Sequence, residues 1–157
     1  MDPEKEQLVI EVLFEIEKDS EGYPKSRDSE ALLCKPLTPE CSICEIVSVP
    51  FYLRNVACGD VVSTHENADG NLGFKDVLRR GGYSVYRVLL RVPAQRVRLI
   101  QELLRFDVII ERDRDLIAFA VPPTVDANPI IDYLLKGKSE GYWGVQDGFI
   151  FEPSEQI

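Results

Sequence analysis

Between residues 84 and 151 the apolar residues alternate between two spacings, and no other feature limits the possible folds as much. Residues 84–92 place Val85, Arg87, Leu89 and Arg91 on one side and Tyr86, Val88, Leu90 and Val92 on the other, the period of a strand. Pro93 then suits a helix start, where its missing N–H has no intrahelical acceptor. Val97, Ile100, Leu103 and Leu104 follow at helical spacing. Residues 108–111 and 116–121 are predicted strands joined by the charged turn 112–115. Pro122-Pro123 ends the second, and Asp126 stands where an N-cap would. Ile130, Ile131, Leu134 and Leu135 predict another helix, with Lys136 and Lys138 at its carbonyl end. Residues 142–151 form a last strand interrupted near Gly148. Strand, helix, strand, strand, helix, strand is the split order of a ferredoxin-like half, with both helices on one sheet face.

The first half reads differently. Short apolar runs at 7–17, 30–34, 41–49, 61–65 and 72–78 are separated by turns rich in Gly, Pro, Asn and Asp. Five short strands without a long helix predict a small curled antiparallel barrel, with one helical turn near Pro50 to Asn55. In the first strand Val9 and Leu13 are expected on an apolar face, with Glu11, Glu15 and Glu17 on an acidic one. The pattern breaks at Gly81-Gly82, so the chain divides into an α+β pair: a β-rich, barrel-like domain over 1–81 and a ferredoxin-like domain over 82–157.

Charge separates the two halves as well. The net charge is -9. Residues 1–50 hold twelve acids against five bases, whereas residues 79–157 hold eleven of each. An acidic first third repels phosphates of nucleic acid and membrane and attracts a basic protein. No run reaches the length of a membrane span, and the polar start lacks the form of a signal peptide, so a cytoplasmic setting is expected. No cofactor motif is apparent.

Three stretches carry a resemblance. Val49-Pro50-Phe51-Tyr52, Gly59-Asp60-Val61-Val62 and Gly81-Gly82-Tyr83-Ser84-Val85-Tyr86-Arg87 are similar to segments of the uncharacterised bacterial family called domain of unknown function 4265. Ala120-Val121-Pro122-Pro123 and Gly141-Tyr142-Trp143 resemble its C-terminal half. The family implies no catalytic residues. Small bacterial proteins of this kind include immunity proteins that occlude a toxin.

Candidate chemistry is sparse. The sole histidine, His65, follows an apolar strand, and Asp60 could orient it as a general base beside Ser63 or Thr64. Asp60 fits a turn cap equally well. Cys41 and Cys44 have C-x-x-C spacing, but a strand through them would point the thiols to opposite faces, and Cys34 and Cys58 form no second close pair. Arg54, Arg79, Arg80, Arg87, Arg91, Arg96 and Arg98 could meet phosphate in an RNA- or nucleotide-binding reading; ion pairs with the acidic half account for them too. Gly137-Lys138-Ser139 lies at a helix end, the wrong pole for phosphate. The leading expectation is a non-enzymatic module, immunity-like, that binds a basic protein through Glu11, Glu15, Glu17, Glu45 and Trp143. Glu45 joins the patch if strands one and three are neighbours. Pairing of two copies through an open sheet edge is a further contact to expect.

Overall fold

The computed structural model describes residues 8–22 and 27–156. The first half is a closed five-stranded barrel: β1 (Ile10–Glu15), β2 (Ser29–Pro36), β3 (Ile43–Ile46), β4 (Val61–Glu66) and β5 (Leu72–Arg79). Neighbours run antiparallel in sequence order, and a short parallel contact at Leu13 and Gly73 closes β1 onto β5. Register irregularities between Val61 and Val62 and between Ser63 and Thr64 let so small a sheet curl, because an extra residue on one strand bends and twists it. Val12, Phe14, Leu32, Cys34, Cys44, Ile46 and Val62 fill the interior. Phe14 stacks on Phe74 with ring centroids 4.7 Å apart.

Two local expectations are corrected in the barrel. In β1 the even residues Val12 and Phe14 are buried, so Val9 and Leu13 share the outer side with the glutamates. The run at 7–17 contains apolar residues in both registers, and the register of Val12, Phe14 and Ile16 is the one turned inside, in one cluster with Leu32 and Phe74. The third strand is shorter than expected. Cys41 adopts a left-handed backbone (φ 62) in the turn before it, so strand geometry does not set the direction of its thiol. No helical turn forms at 50–55.

The second half is a four-stranded antiparallel sheet in the order β7-β8-β6-β9, from β6 (Ser84–Leu90), β7 (Ile109–Asp113), β8 (Leu116–Val121) and β9 (Trp143–Asp147). Helix α1 (Arg96–Leu103) links β6 to β7, and α2 (Asn128–Ser139) links β8 to β9. Asp126 sits at the start of α2, where its Oδ1 accepts the Asn128 N–H at 3.0 Å. Past β9 the chain stays beside β6: Gly148 N–H donates to Val85 O at 2.8 Å and Val85 N–H to Phe149 O at 2.7 Å. Among the described residues, no strand pairs with the outer edge of β7 or of β9.

The sheet buries both faces, by different means. Tyr86, Val88, Leu90, Ile117 and Phe119 meet Leu99, Leu103, Ile130 and Leu134 of the helices. Val85, Ala118 and Ala120 join the barrel's own core. The alanines leave room for the barrel backbone to approach. The β6 alternation is therefore as expected, and its Val85–Arg87 side is the one that meets the barrel.

Candidate functional site

The segment at residues 49–53 joins barrel to sheet, and three charged side chains hold its backbone. Glu30, across β1 from Phe14 at the barrel mouth, accepts N–H bonds from Phe51 (2.7 Å), Tyr52 (3.0 Å) and Leu53 (3.3 Å). Glu111 of β7 accepts the Val49 N–H. Arg87 of β6 donates through Nε to Pro50 O at 3.3 Å and through Nη2 to Leu53 O. Arg87 is only 1% exposed. Burial pulls its pKa down to about 10, with nearby Glu30 opposing the shift. The arginine expected to meet phosphate thus serves carbonyls inside the protein, because it lies on the sheet face that the barrel covers.

A second knot lies beside it. Asp60 is fully buried, and its carboxylate is spent on three donors: Ala57 N–H (3.0 Å), Gly81 N–H (3.0 Å) and Arg80 Nη1 (2.9 Å). Arg80 also donates to Asn55 O at 2.8 Å and lies 4.2 Å above the Phe149 ring. Gly59 and Gly81 are glycines because their backbones touch here: a Cβ on Gly81 would stand 2.6 Å from the Gly59 carbonyl. The enzyme reading fails on this geometry. His65 is at the exposed far end of β4, five extended residues or roughly 16 Å from Asp60, against Gly73. Thr64 donates inward to Cys41 O at 2.6 Å, and Ser63 bonds the Asp76 backbone.

The expected partner residues divide. Glu11 and Glu15 point outward from β1, across from exposed Leu33 and Ser29 of β2, and Leu13 between them lies across from Ala31. Glu17 continues that exposed side, and Glu15, Glu17 and His65 line one groove of about 570 Å³. Glu45 is not beside them: β2 separates β1 from β3, and Glu45 lies across from Lys35. Trp143 is corrected outright. It is 2% exposed, its Nε1 donates to Leu134 O at 2.9 Å, and it packs where Gly137 leaves space for the ring. Gly137 thereby loses its last claim to a phosphate loop.

The cysteines form no paired centre. Cys34, Cys44 and Cys58 are buried, and burial raises all three thiols, Cys34 and Cys58 to about 12. Among the described residues no three His, Cys, Asp or Glu side chains converge as metal ligands.

A cavity of about 740 Å³ lies at the junction of barrel and sheet. It opens where the barrel leaves one sheet row uncovered, with Leu89, Leu116 and Gly144 as floor and Phe51, Tyr52, Arg27 and Arg114 around it. Arg87 lies at its inner end. The guanidinium of Arg27 rests 4.5 Å from the Tyr52 ring centroid. The one hint in the sequence is Leu89, an apolar residue beside Arg87 on the barrel-facing side; its 55% exposure marks where cover stops.

The chain belongs to the family described as "Domain of unknown function (DUF4265)", which matches residues 37–145. That stretch contains the 49–53 segment, Arg87, Glu111, Asp60 and Arg80, and the sheet as far as Val145 of β9; Glu30 lies outside it. Among solved structures, the chain is similar to "Novel crystal structure of a hypothetical protein from Neisseria gonorrhoeae", with a TM-score of 0.67 at 14% identity, over 91% of this chain and 98% of that one. At that identity the likeness concerns fold alone. No curated protein matches.

Proposed function

We propose that this family member is a non-enzymatic protein-binding module whose barrel captures a basic partner, in the manner of an immunity-like inhibitor acting in the cytoplasm. One observation carries the reading. Leu13, Ala31, Leu33 and Val47 form an outward apolar strip across β1, β2 and the end of β3, and Glu11, Glu15, Glu17 and Glu45 border it. Apolar contacts at the centre of such a surface exclude water, while its charged rim steers a partner of opposite sign. Lys35 opposite Glu45 weakens the acidic field at that end, so Glu15 and Glu17 carry more of it.

The same reading extends to the architecture. We take residues 82–157 as a ferredoxin-like domain and 1–81 as a barrel-like one; the strand order β7-β8-β6-β9 with a helix in each crossover supports the former. The unpaired outer edges of β7 and β9 favour one secondary contact, strand addition between two copies.

The test is capture from native-cell extract by immobilised wild type and by a Glu15→Lys, Glu17→Lys variant. A basic protein should be retained by the wild type and not by the variant, whose unfolding free energy in urea stays within about 0.5 kcal/mol of wild type, as for surface changes. Retention by both proteins, or no basic protein on either, overturns the proposal.

A further inference from the structure

We infer that the junction cavity is a ligand site for a small anion carrying a planar apolar ring, separate from the acidic barrel surface. Three guanidinium groups line it: Arg27, Arg87 and Arg114. Of the acids on its wall, Asp115 is already paired with Arg96 at 2.9 Å, which leaves Asp113. The cavity is thus a cationic island in a chain of net charge -9. A field of that sign, partly walled from solvent, draws in small anions.

The positions of these groups are built rather than incidental. Arg87 is 1% exposed, and its Nε and Nη2 are fixed on Pro50 O and Leu53 O, so the guanidinium is held in place at the cavity wall. Arg114 sits at the tip of the β7–β8 turn with φ 56, a strained setting for a residue with a side chain. Arg96 holds that turn, donating from Nη2 to Arg114 O (3.3 Å) and Asp115 Oδ1 (2.9 Å). Glycine would fit the turn better; the arginine instead places a third guanidinium on the cavity wall.

The walls select the rest of the ligand. Arg27 and Tyr52 already form a flat guanidinium–ring stack, a surface on which a second planar group can lie. Leu89, more than half exposed, and Leu116 offer an apolar floor. Gly144 opposite Leu89 adds no side chain, and a Cβ there would meet nothing within 4 Å, so the floor is open because that residue is glycine. About 740 Å³ admits a ligand of drug size.

Calorimetric titration of the full chain tests this with adenosine 5′-monophosphate and 2-naphthoate. Their neutral counterparts adenosine and 2-naphthalenemethanol, and inorganic phosphate, are the controls. At least one ring-bearing anion should bind, with its neutral counterpart and inorganic phosphate each about tenfold weaker or more. Tighter binding of the nucleotide assigns a phosphate head, and tighter naphthoate a carboxylate. Gly144→Phe, which fills the floor, and Arg114→Gly, which removes a guanidinium while relieving the backbone, should each weaken binding about tenfold at wild-type urea midpoints. Should one of them unfold, the other decides. No saturable heat from either anion at about 5 mM, equal binding of the neutral compounds, or wild-type affinity in a folded variant overturns the inference.

Discussion

The two faces of the four-stranded sheet are buried differently: the helix face by apolar packing, the barrel face by apolar packing joined to charged groups that hold a backbone segment. On the helix side, apolar side chains meet apolar side chains, and one polar atom in that layer, Trp143 Nε1, has its acceptor in Leu134 O. On the barrel side, the row Gln146–Arg87–Ala118–Glu111 brings two charged groups to a bare backbone segment and satisfies its N–H and C=O groups one by one. The helix face tolerates exchange of one hydrocarbon for another of like volume. The barrel face does not, because a buried polar group without its partner loses its full solvation. The difference explains why binding features gather at the barrel side: a seam made by hydrogen bonds to a loop leaves the next row, Leu89–Gly144–Leu116, without cover.

Arg87→Met is the strongest way to break this contrast. Methionine fills much of the space but donates nothing, which orphans the carbonyls of Pro50 and Leu53. Each orphan costs ~1–3 kcal/mol, so the variant should lose about 2–6 kcal/mol in urea unfolding. A loss below about 1 kcal/mol would mean that apolar contacts hold the seam. On the opposite face, Gly137→Ala should cost about 1–3 kcal/mol by overpacking, since the added Cβ would lie 2.0 Å from the Trp143 ring. Trp143 emission should shift with it, as the ring moves off Leu134 O. An unchanged spectrum would show that α2 yields instead of the indole.

The contrast also sorts what the chain makes legible before any coordinates. Strands 116–121 and 61–65 and the stripe residues Leu103, Ile130 and Leu134 follow from side-chain period, and periods are local; Val97 and Leu104, expected on the first helix's apolar stripe, are exposed, and Leu99 is buried there instead. The barrel's closure needs β1 to meet β5, sixty residues apart, through the pairing of Leu13 with Gly73 and the Phe14–Phe74 stack, which no local pattern encodes. The seam was hidden for another reason. Arg87 and Glu30 look like surface residues by type, and only three-dimensional proximity to the turn-like segment at 49–53 makes them structural. The acidic register of β1 was half legible: glutamates at 11, 15 and 17 share a side, but Leu13 joins them rather than the core. Asp60 misled because a carboxylate five residues from a histidine suggests chemistry, whereas its acceptors were needed by Ala57, Arg80 and Gly81.

The smallest effect tests whether the seam couples the halves at all. Every thiol lies in the barrel half, and the one tryptophan lies in the sheet half. Burial opposes the thiolate and pushes the Cys34 and Cys58 pKa values from their ordinary 9.0 up to about 12. A raised folded-state pKa stabilises the protein fully below about pH 9, where folded and unfolded thiols alike hold their protons. Between pH 9 and 12 the unfolded chain sheds protons that the folded one keeps, so stability falls as pH rises. The urea midpoint read from Trp143 emission should therefore fall between pH 8 and 10, and a Cys34→Ala, Cys58→Ala variant should fall less. Trp143 lies in the other core cluster from both cysteines, so its response reaches it across the junction, where the Arg87 and Asp60 contacts and the Val85, Ala118 and Ala120 packing join the halves. A midpoint at Trp143 that ignores pH while thiol absorbance shows the barrel opening would separate the two halves and cut the seam out of the account.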